Sequence, residues 1–169
     1  MRSKFTKFLI IGYILSLVVE SINMGFVRGN WIGMFLTVLL FYGVIISISF
    51  YATQKNINKL VHFLIFGFMG LQLEWFIFQP DPFSGHILVV LLVNLGMFAH
   101  WATIAFAPRM LLDEENPEKD KKLFIRTYFI SMLTVFGLGI LLGDYTLMII
   151  GNMVVYSVML YWYIKYIRI

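Results

Sequence analysis

Residues 86–107 read HILVVLLVNLGMFAHWATIAFA, twenty-two positions without one Asp, Glu, Lys or Arg. An α-helix rises about 1.5 Å per residue, so a run of this length reaches across the ~30 Å hydrocarbon core of a bilayer. The other fold that can span lipid, a closed barrel, needs short strands of alternating polarity. This run is longer than such a strand and apolar on every side. It predicts a membrane-spanning helix.

The sequence on either side repeats the pattern. Apolar runs of similar length occupy Phe5–Phe26, Trp31–Ala52, Lys59–Phe78, Leu123–Leu142 and Tyr145–Ile164, and with His86–Ala107 they make six. The expected fold is all-α: a polytopic integral membrane protein in which residues 1–169 form a single domain, a bundle of six transmembrane helices. Composition agrees, since 60% of the residues are hydrophobic and only 13% charged, against about 25% charged in an ordinary soluble domain. The mean hydropathy is +0.85. A water-soluble fold of this size would have too little polar surface to cover so much apolar side chain. There are no cysteines, which excludes disulfides, thiol redox chemistry and thiolate metal sites.

Charge orients the bundle. Arg2, Lys4 and Lys7 precede the first run, Lys55 and Lys59 lie in the second connection, and Lys165 and Arg168 follow the last run. Arg109, Lys119, Lys121, Lys122 and Arg126 cluster around the fourth connection, and Arg28 alone lies on the other face. Lys and Arg are retained on the cytoplasmic side, so both termini are expected there. Localisation is therefore a membrane, the plasma membrane in a prokaryote. The basic start of the first run resembles a signal peptide, but it lacks a small-residue cleavage site and Glu20 interrupts its far end, so it reads as an uncleaved span. The longest connection, Pro108–Lys122, mixes acids with lysines and reads as a solvated connector. Its Asn116-Pro117-Glu118 is expected to start a helix, with Asn as the cap and Pro at the first helical position. All four prolines (Pro80, Pro82, Pro108, Pro117) fall in connections on this reading, so no span shows a proline break.

Ionisable groups inside an apolar span are candidate functional residues, because placing one at the helix centre costs about 2.5–3.5 kcal/mol on insertion scales. Glu20 and Glu74 qualify, each near the outer end of its run. They also share a context: Phe8-Leu9-Ile10-Ile11-Gly12-Tyr13 echoes Phe63-Leu64-Ile65-Phe66-Gly67-Phe68, with the acids following one residue out of register. Tyr13, Ser16, Glu20 and Asn23 fall on one helical stripe. Arg28, Gln72, Asp81 and His86 lie near the same ends. The expected site is a polar pocket in the outer leaflet, a ligand-binding or proton site formed by Glu20, Asn23, Arg28, Gln72, Glu74 and His86. The structural alternative is that each acid is satisfied locally, Glu20 by Arg28 for example.

No catalytic residue is singled out, for no HExxH, Gly-rich phosphate loop or nucleophile–base spacing is present. No cofactor or metal is indicated. A haem between His62 and His100 on facing helices is the weakest of the alternatives. Gly139-Ile140-Leu141-Leu142-Gly143 has the GxxxG spacing of a helix-packing step, and Asn94 and Asn152 are expected to tie helices together.

Three functions follow. The first is handling of a small solute, ion or lipid through the outer pocket. The second is an accessory or structural subunit of a larger membrane complex. The third is an intramembrane enzyme on a lipid or isoprenoid, with the two carboxylates as acid and base. The partner implied throughout is the lipid bilayer, with self-association or a larger complex left open and no nucleic acid.

Overall fold

The computed structural model describes residues 2–78 and 86–168, and among them every regular element is a helix. α1 (Arg2–Glu20) continues without a break into a π-helical stretch, Ser21–Val27. α2 (Trp31–Leu36), a second π stretch (Thr37–Tyr42) and α3 (Gly43–Gln54) form one rod, and α4 (Lys59–Leu73) runs into a third π stretch, Glu74–Phe78. Three longer helices follow: α5 (Ile87–Leu112), α6 (Glu118–Leu142) and α7 (Tyr145–Ile167). Four segments, Ser3–Val27, Trp31–Gln54, Ile87–Leu112 and Glu118–Leu142, are long and apolar enough to cross a membrane. The other two expected spans correspond to α4 with its π extension and to α7. Outward faces are oily: Ile32 is 78% exposed, Leu133 66% and Leu141 81%. Apolar surface on that scale marks contact with lipid or another chain.

Short polar residues start the rods. The Asn30 side-chain oxygen accepts the Gly33 amide at 2.9 Å, that of Asn58 accepts the Leu60 amide at 2.9 Å, and that of Asp144 accepts the Leu147 amide at 3.1 Å. Each satisfies an amide that the first helical turn leaves unpaired. Gly143 closes α6 at φ 63°, a left-handed conformation that a Cβ would strain, while the Asp144 amide reaches back to Gly139 O at 3.0 Å. Gly139-to-Gly143 is thus not one packing step. Gly139 seats the Met148 side chain, and Gly143 is a helix stop.

Two expectations for the long connection are corrected. α5 runs through Pro108 to Leu112, so this proline is helical and the connector shrinks to residues 113–117. Near a helix end a proline forfeits a single ladder bond, and the close packing around it outweighs that. Asn116 does not cap α6. Pro117 occupies the cap position without a side-chain bond, and buried Asn116 turns inward to donate Nδ2 to Met110 O at 3.0 Å. That carbonyl belongs to the last turn of α5, which has no partner within its own helix. Pro80, Asp81 and Pro82 lie outside the described residues.

α5 is the axle. From Ala99 to Pro108 every residue is buried, and α1, α3, α4 and α7 all pack on this helix. Alanines at 99, 102, 105 and 107 let those neighbours approach closely. One core lies between α5, α6 and α7 around Phe106, Phe124, Tyr128 and Tyr163; a second lies between α5 and the first two rods around Phe8, Val38, Ile46 and Trp101.

A polar clamp closes the end of the bundle where the chain begins. Asp113, just past α5, accepts a short hydrogen bond from the Tyr166 hydroxyl of α7 and lies 3.5 Å from Lys59 Nζ at the start of α4. Lys59 Nζ also stands 4.4 Å over the Tyr166 ring, a cation–π contact. Partial burial works against the Asp113 charge, but the Tyr166 hydroxyl, the Glu115 amide and the Lys59 ammonium outweigh it and hold the carboxyl below its ordinary range. A carboxyl lowered by folding adds stability that is complete above its unfolded value and is lost as pH falls through the folded one. Asp113→Asn is therefore expected to cost about 1–2 kcal/mol at pH 7. In detergent melts the deficit should shrink as pH drops below about 4. An equal deficit at pH 7 and pH 3 would refute the charge-based clamp.

Candidate functional site

Glu20 is the last residue of α1 before the helix widens, and Glu74 is the first of the π stretch that ends the α4 rod. A π-helix bonds i to i+5 instead of i to i+4, is rare, and tends to occur at functional positions. All three π stretches among the described residues border one cavity of about 140 Å³. Asn23 and Met24 come from the first, Thr37 and Tyr42 from the second, Glu74 from the third. Met97 and His100 of α5 with Met153 and Tyr156 of α7 form the opposite wall, and Arg28 lies at the exposed rim.

Glu20 is only 6% exposed, and an isolated carboxylate there would be costly. It is satisfied from two other rods: the Tyr42 hydroxyl donates to Glu20 Oε1 at 2.6 Å, and His100 Nε2 lies 3.6 Å from the same oxygen. Tyr42 and His100 also approach each other, at 3.4 Å. The Tyr42 ring packs edge-on against Trp101, centroids 5.1 Å apart, and the Trp101 indole N–H donates to Glu74 Oε1 at 3.1 Å. The two acids thus bound one cavity and are joined by a continuous chain of side chains: Glu20, Tyr42, Trp101, Glu74. Around it, Asn152 Nδ2 donates to Asn23 Oδ1 at 3.0 Å and Trp75 Nε1 donates to Asn94 Oδ1 at 2.6 Å.

Of the six residues expected at the site, Glu20, Asn23, Arg28 and Glu74 line the cavity. Gln72 and His86 do not. Gln72 is exposed, and His86 caps α5, its Nδ1 accepting the Leu88 amide at 3.3 Å. Arg28 is not the direct partner of Glu20; Tyr42 and His100 take that place. Tyr42, His100, Tyr156, Thr37 and the three methionines were missed, because each residue type is as much at home in a packed core as in a site. His62 stands elsewhere, in a closed relay. Arg109 Nη1 donates to its Nδ1 at 2.9 Å, and its Nε2 lies 2.8 Å from Ser49 Oγ, which donates in turn to Ala105 O. With both ring nitrogens engaged by protein groups, His62 has no lone pair to offer a haem.

The chain matches no protein-family model, no curated protein and no solved structure.

A second hollow of about 750 Å³ lies at the opposite end of the rods, between the Lys4–Lys7 segment, Lys59, Arg109 and the 113–115 acids. Most of its charges pair with each other, Lys59 with Asp113 and Glu115, both at 3.5 Å, and Lys4 with Glu114 at 3.9 Å, while Arg109 is bonded to Ile57 O and His62. The polar cavity at the other end is the better candidate.

Glycine sets its wall. A Cβ at Gly70 would meet Trp101 Cγ at 1.8 Å, so α4 reaches α5 only because residue 70 lacks a side chain. Gly70→Ala must displace fully buried Trp101 and loosen its bond to Glu74. An overpacked core loses about 1–3 kcal/mol. Gly137→Ala in α6, where nothing lies within 4 Å of the new carbon, should leave the melting temperature unchanged or raise it. Equal melting temperatures for the two variants would show that the Gly70–Trp101 contact does not hold the wall.

Proposed function

We propose that this chain is a multi-pass membrane protein of six spans, with both termini on the cytoplasmic side, that holds a small polar solute or ion in the cavity between Glu20 and Glu74. The observation that carries the reading is the convergence of two carboxylates, a histidine, a tyrosine hydroxyl and three π-helical stretches on one small hollow. The topology is supported by the four segments long and apolar enough to cross a membrane and by the gathering of lysine and arginine at one end of the rods.

Size chooses between the functional classes. An engineered protein cavity of about 150 Å³ holds benzene, whereas sites for drug-sized ligands run to roughly 300–1,000 Å³. A hollow of about 140 Å³ suits an ion or a solute of about six heavy atoms, and it is too small to enclose an acyl chain or an isoprenoid. That argues against the lipid-directed enzyme. The chemistry offered is acceptor-rich: two carboxylates and the Asn23 amide face the hollow, the Tyr42 hydroxyl has its proton on Glu20, and Thr37 and the rim Arg28 supply donors. Tyr42 and His100 hold Glu20 on one side of it, and Trp101 holds Glu74 on the other. A ligand carrying positive charge or N–H groups is favoured between them.

Two experiments test this. The chain has no cysteine, so single cysteines at Lys4, Lys55, Lys119 and Asn30 can be probed in intact cells with an impermeant maleimide. Only Asn30→Cys should react; labelling of Lys119→Cys in sealed cells would invert the orientation. For the cavity, purified protein is melted against a panel of small amines, amino acids, amides and monovalent ions. A ligand at a hundred times its Kd stabilises by about 2.7 kcal/mol, which is roughly 5–10 °C in Tm for a chain of this length. At least one panel member should reach that shift, and Glu74→Gln should abolish it. A flat panel, or a shift untouched by both Glu74→Gln and Glu20→Gln, would remove the cavity as the binding site.

A further inference from the structure

The polar half of the cavity wall has a counterpart that the carboxylates do not explain. Met24, Met97 and Met153 line the same hollow, each from a different rod, and His100 lies among them. Buried methionine usually fills irregular gaps, and three of them would pass as packing if the histidine were fully bonded. It is not. Nε2 of His100 lies 3.6 Å from Glu20 Oε1 and 3.4 Å from the Tyr42 hydroxyl, whereas Nδ1 is buried and has no hydrogen-bond partner. The Tyr42 hydroxyl already donates to Glu20, so the group facing His100 Nε2 is an acceptor pair, and the ring proton belongs on that nitrogen. In the neutral ring Nδ1 then carries a lone pair that no protein group occupies. A histidine that gives one N–H toward a carboxylate and keeps the other nitrogen unprotonated is the arrangement by which metal-ligating imidazoles are oriented.

We propose, resting on the reading of this cavity as a small-ligand site, that its occupant is a soft monovalent metal ion, Cu(I) or chemically equivalent Ag(I), held by the thioethers of Met24, Met97 and Met153 and by His100 Nδ1. Donor type sets the selectivity. Thioether sulfur is a soft ligand that selects Cu(I), whereas carboxylate and carbonyl oxygens suit Mg²⁺, Ca²⁺ and Mn²⁺. Among the described residues no three of His, Cys, Asp and Glu stand close enough to hold a metal, so a harder divalent ion lacks its usual set here. Thioethers and a neutral imidazole carry no charge, and the ion would keep its own. Glu20 and Glu74, which border the same hollow, supply the compensating negative charge without entering the coordination sphere. A chain with no thiolate would hold such an ion exchangeably.

The test uses the full chain purified in detergent under reducing, oxygen-free conditions, titrated with Ag(I) and with Cu(I) against a chromophoric Cu(I) chelator. Methionine-to-leucine swaps conserve volume and are tolerated by cores, so the triple variant Met24→Leu/Met97→Leu/Met153→Leu should fold and melt like the parent. The expected result is one Ag(I) or Cu(I) per parent chain, affinity lowered at least a hundredfold in the triple variant and at least tenfold in His100→Gln, and no uptake of Zn²⁺ or Mg²⁺. Methyl resonances of Met24, Met97 and Met153 should move on Ag(I) addition while those of the other methionines stay. Equal Ag(I) binding by parent and triple variant would overturn the proposal. So would a parent that takes up none. An organic solute that stabilises parent and triple variant alike, with Ag(I) bound to neither, would sink the metal and leave the cavity reading standing.

Discussion

A carboxylate in an apolar interior has to be answered by other polar groups, and Glu20 governs how three rods of this bundle meet. Its partners are Tyr42 from the second rod and His100 from α5, and both are held by further packing: Tyr42 edge-on against Trp101, His100 edge-on against Tyr156 with centroids 5.0 Å apart. Removing one member of such a set strands the rest, and breaking a buried ionic or hydrogen-bonded pair typically costs about 3–5 kcal/mol. Replacing the whole set by fitted apolar side chains is often neutral or better. The arrangement is therefore poorly explained as a device for stability alone.

The π stretches make the same point from the backbone. Each adds a residue to its turn, which widens the rod and shifts the side chains beyond it relative to an α-helical register. Glu20 and Glu74 both sit where α gives way to π, one as the last α residue and the other as the first π residue. The sequence echo between residues 8–13 and 63–68 acquires a structural meaning here. In each rod a glycine takes a neighbour's side chain (Ile46 on Gly12, Phe98 on Gly67), and an acid follows at the change of helix type.

Much of this was legible in the sequence, and what was not failed for physical reasons. The strand-free fold was marked by apolar runs too long and too uniform to be anything else, whereas the caps Asn30, Asn58 and Asp144 were not singled out and Asn116, the one cap expected, turns inward. Glu20, Asn23, Arg28 and Glu74 announced themselves as polar residues where hydrocarbon was expected. Gln72 misled because two residues along a helix turn a side chain about 200° away, so nearness in sequence to Glu74 placed it on the opposite face. His86 was drawn into capping. Tyr42 and the three methionines gave no signal, since amphipathic and soft side chains fit a core as well as a site, and His100 was picked out only as a haem ligand opposite His62. The π stretches left no mark either, because no proline or charged residue signals the change in helical pitch. Pro108 misled in the reverse direction, lying inside α5 where its lost amide bond is outweighed by burial on all sides.

The two halves of α5 divide the labour. From Ala99 onward the helix is enclosed by neighbours, and beyond it the polar groups form closed circuits: Arg109 to His62 to Ser49 to Ala105, and Lys59 to Asp113 to Tyr166. Each side chain in those circuits is bonded to the next, and such connected networks rigidify the core they sit in. Toward the N-terminal half the enclosure ends. Leu88 and Leu91 face outward, Met97 and His100 line the hollow, and His100 Nδ1 is buried without a hydrogen-bond partner. Precise ligand geometry needs side chains locked by a rigid surround, while exchange of the ligand needs a wall that can give. α5 supplies the first from its packed half. The three π-helical stretches face it across the cavity, and the polar groups outside the closed circuits gather there, not at the better-bonded end.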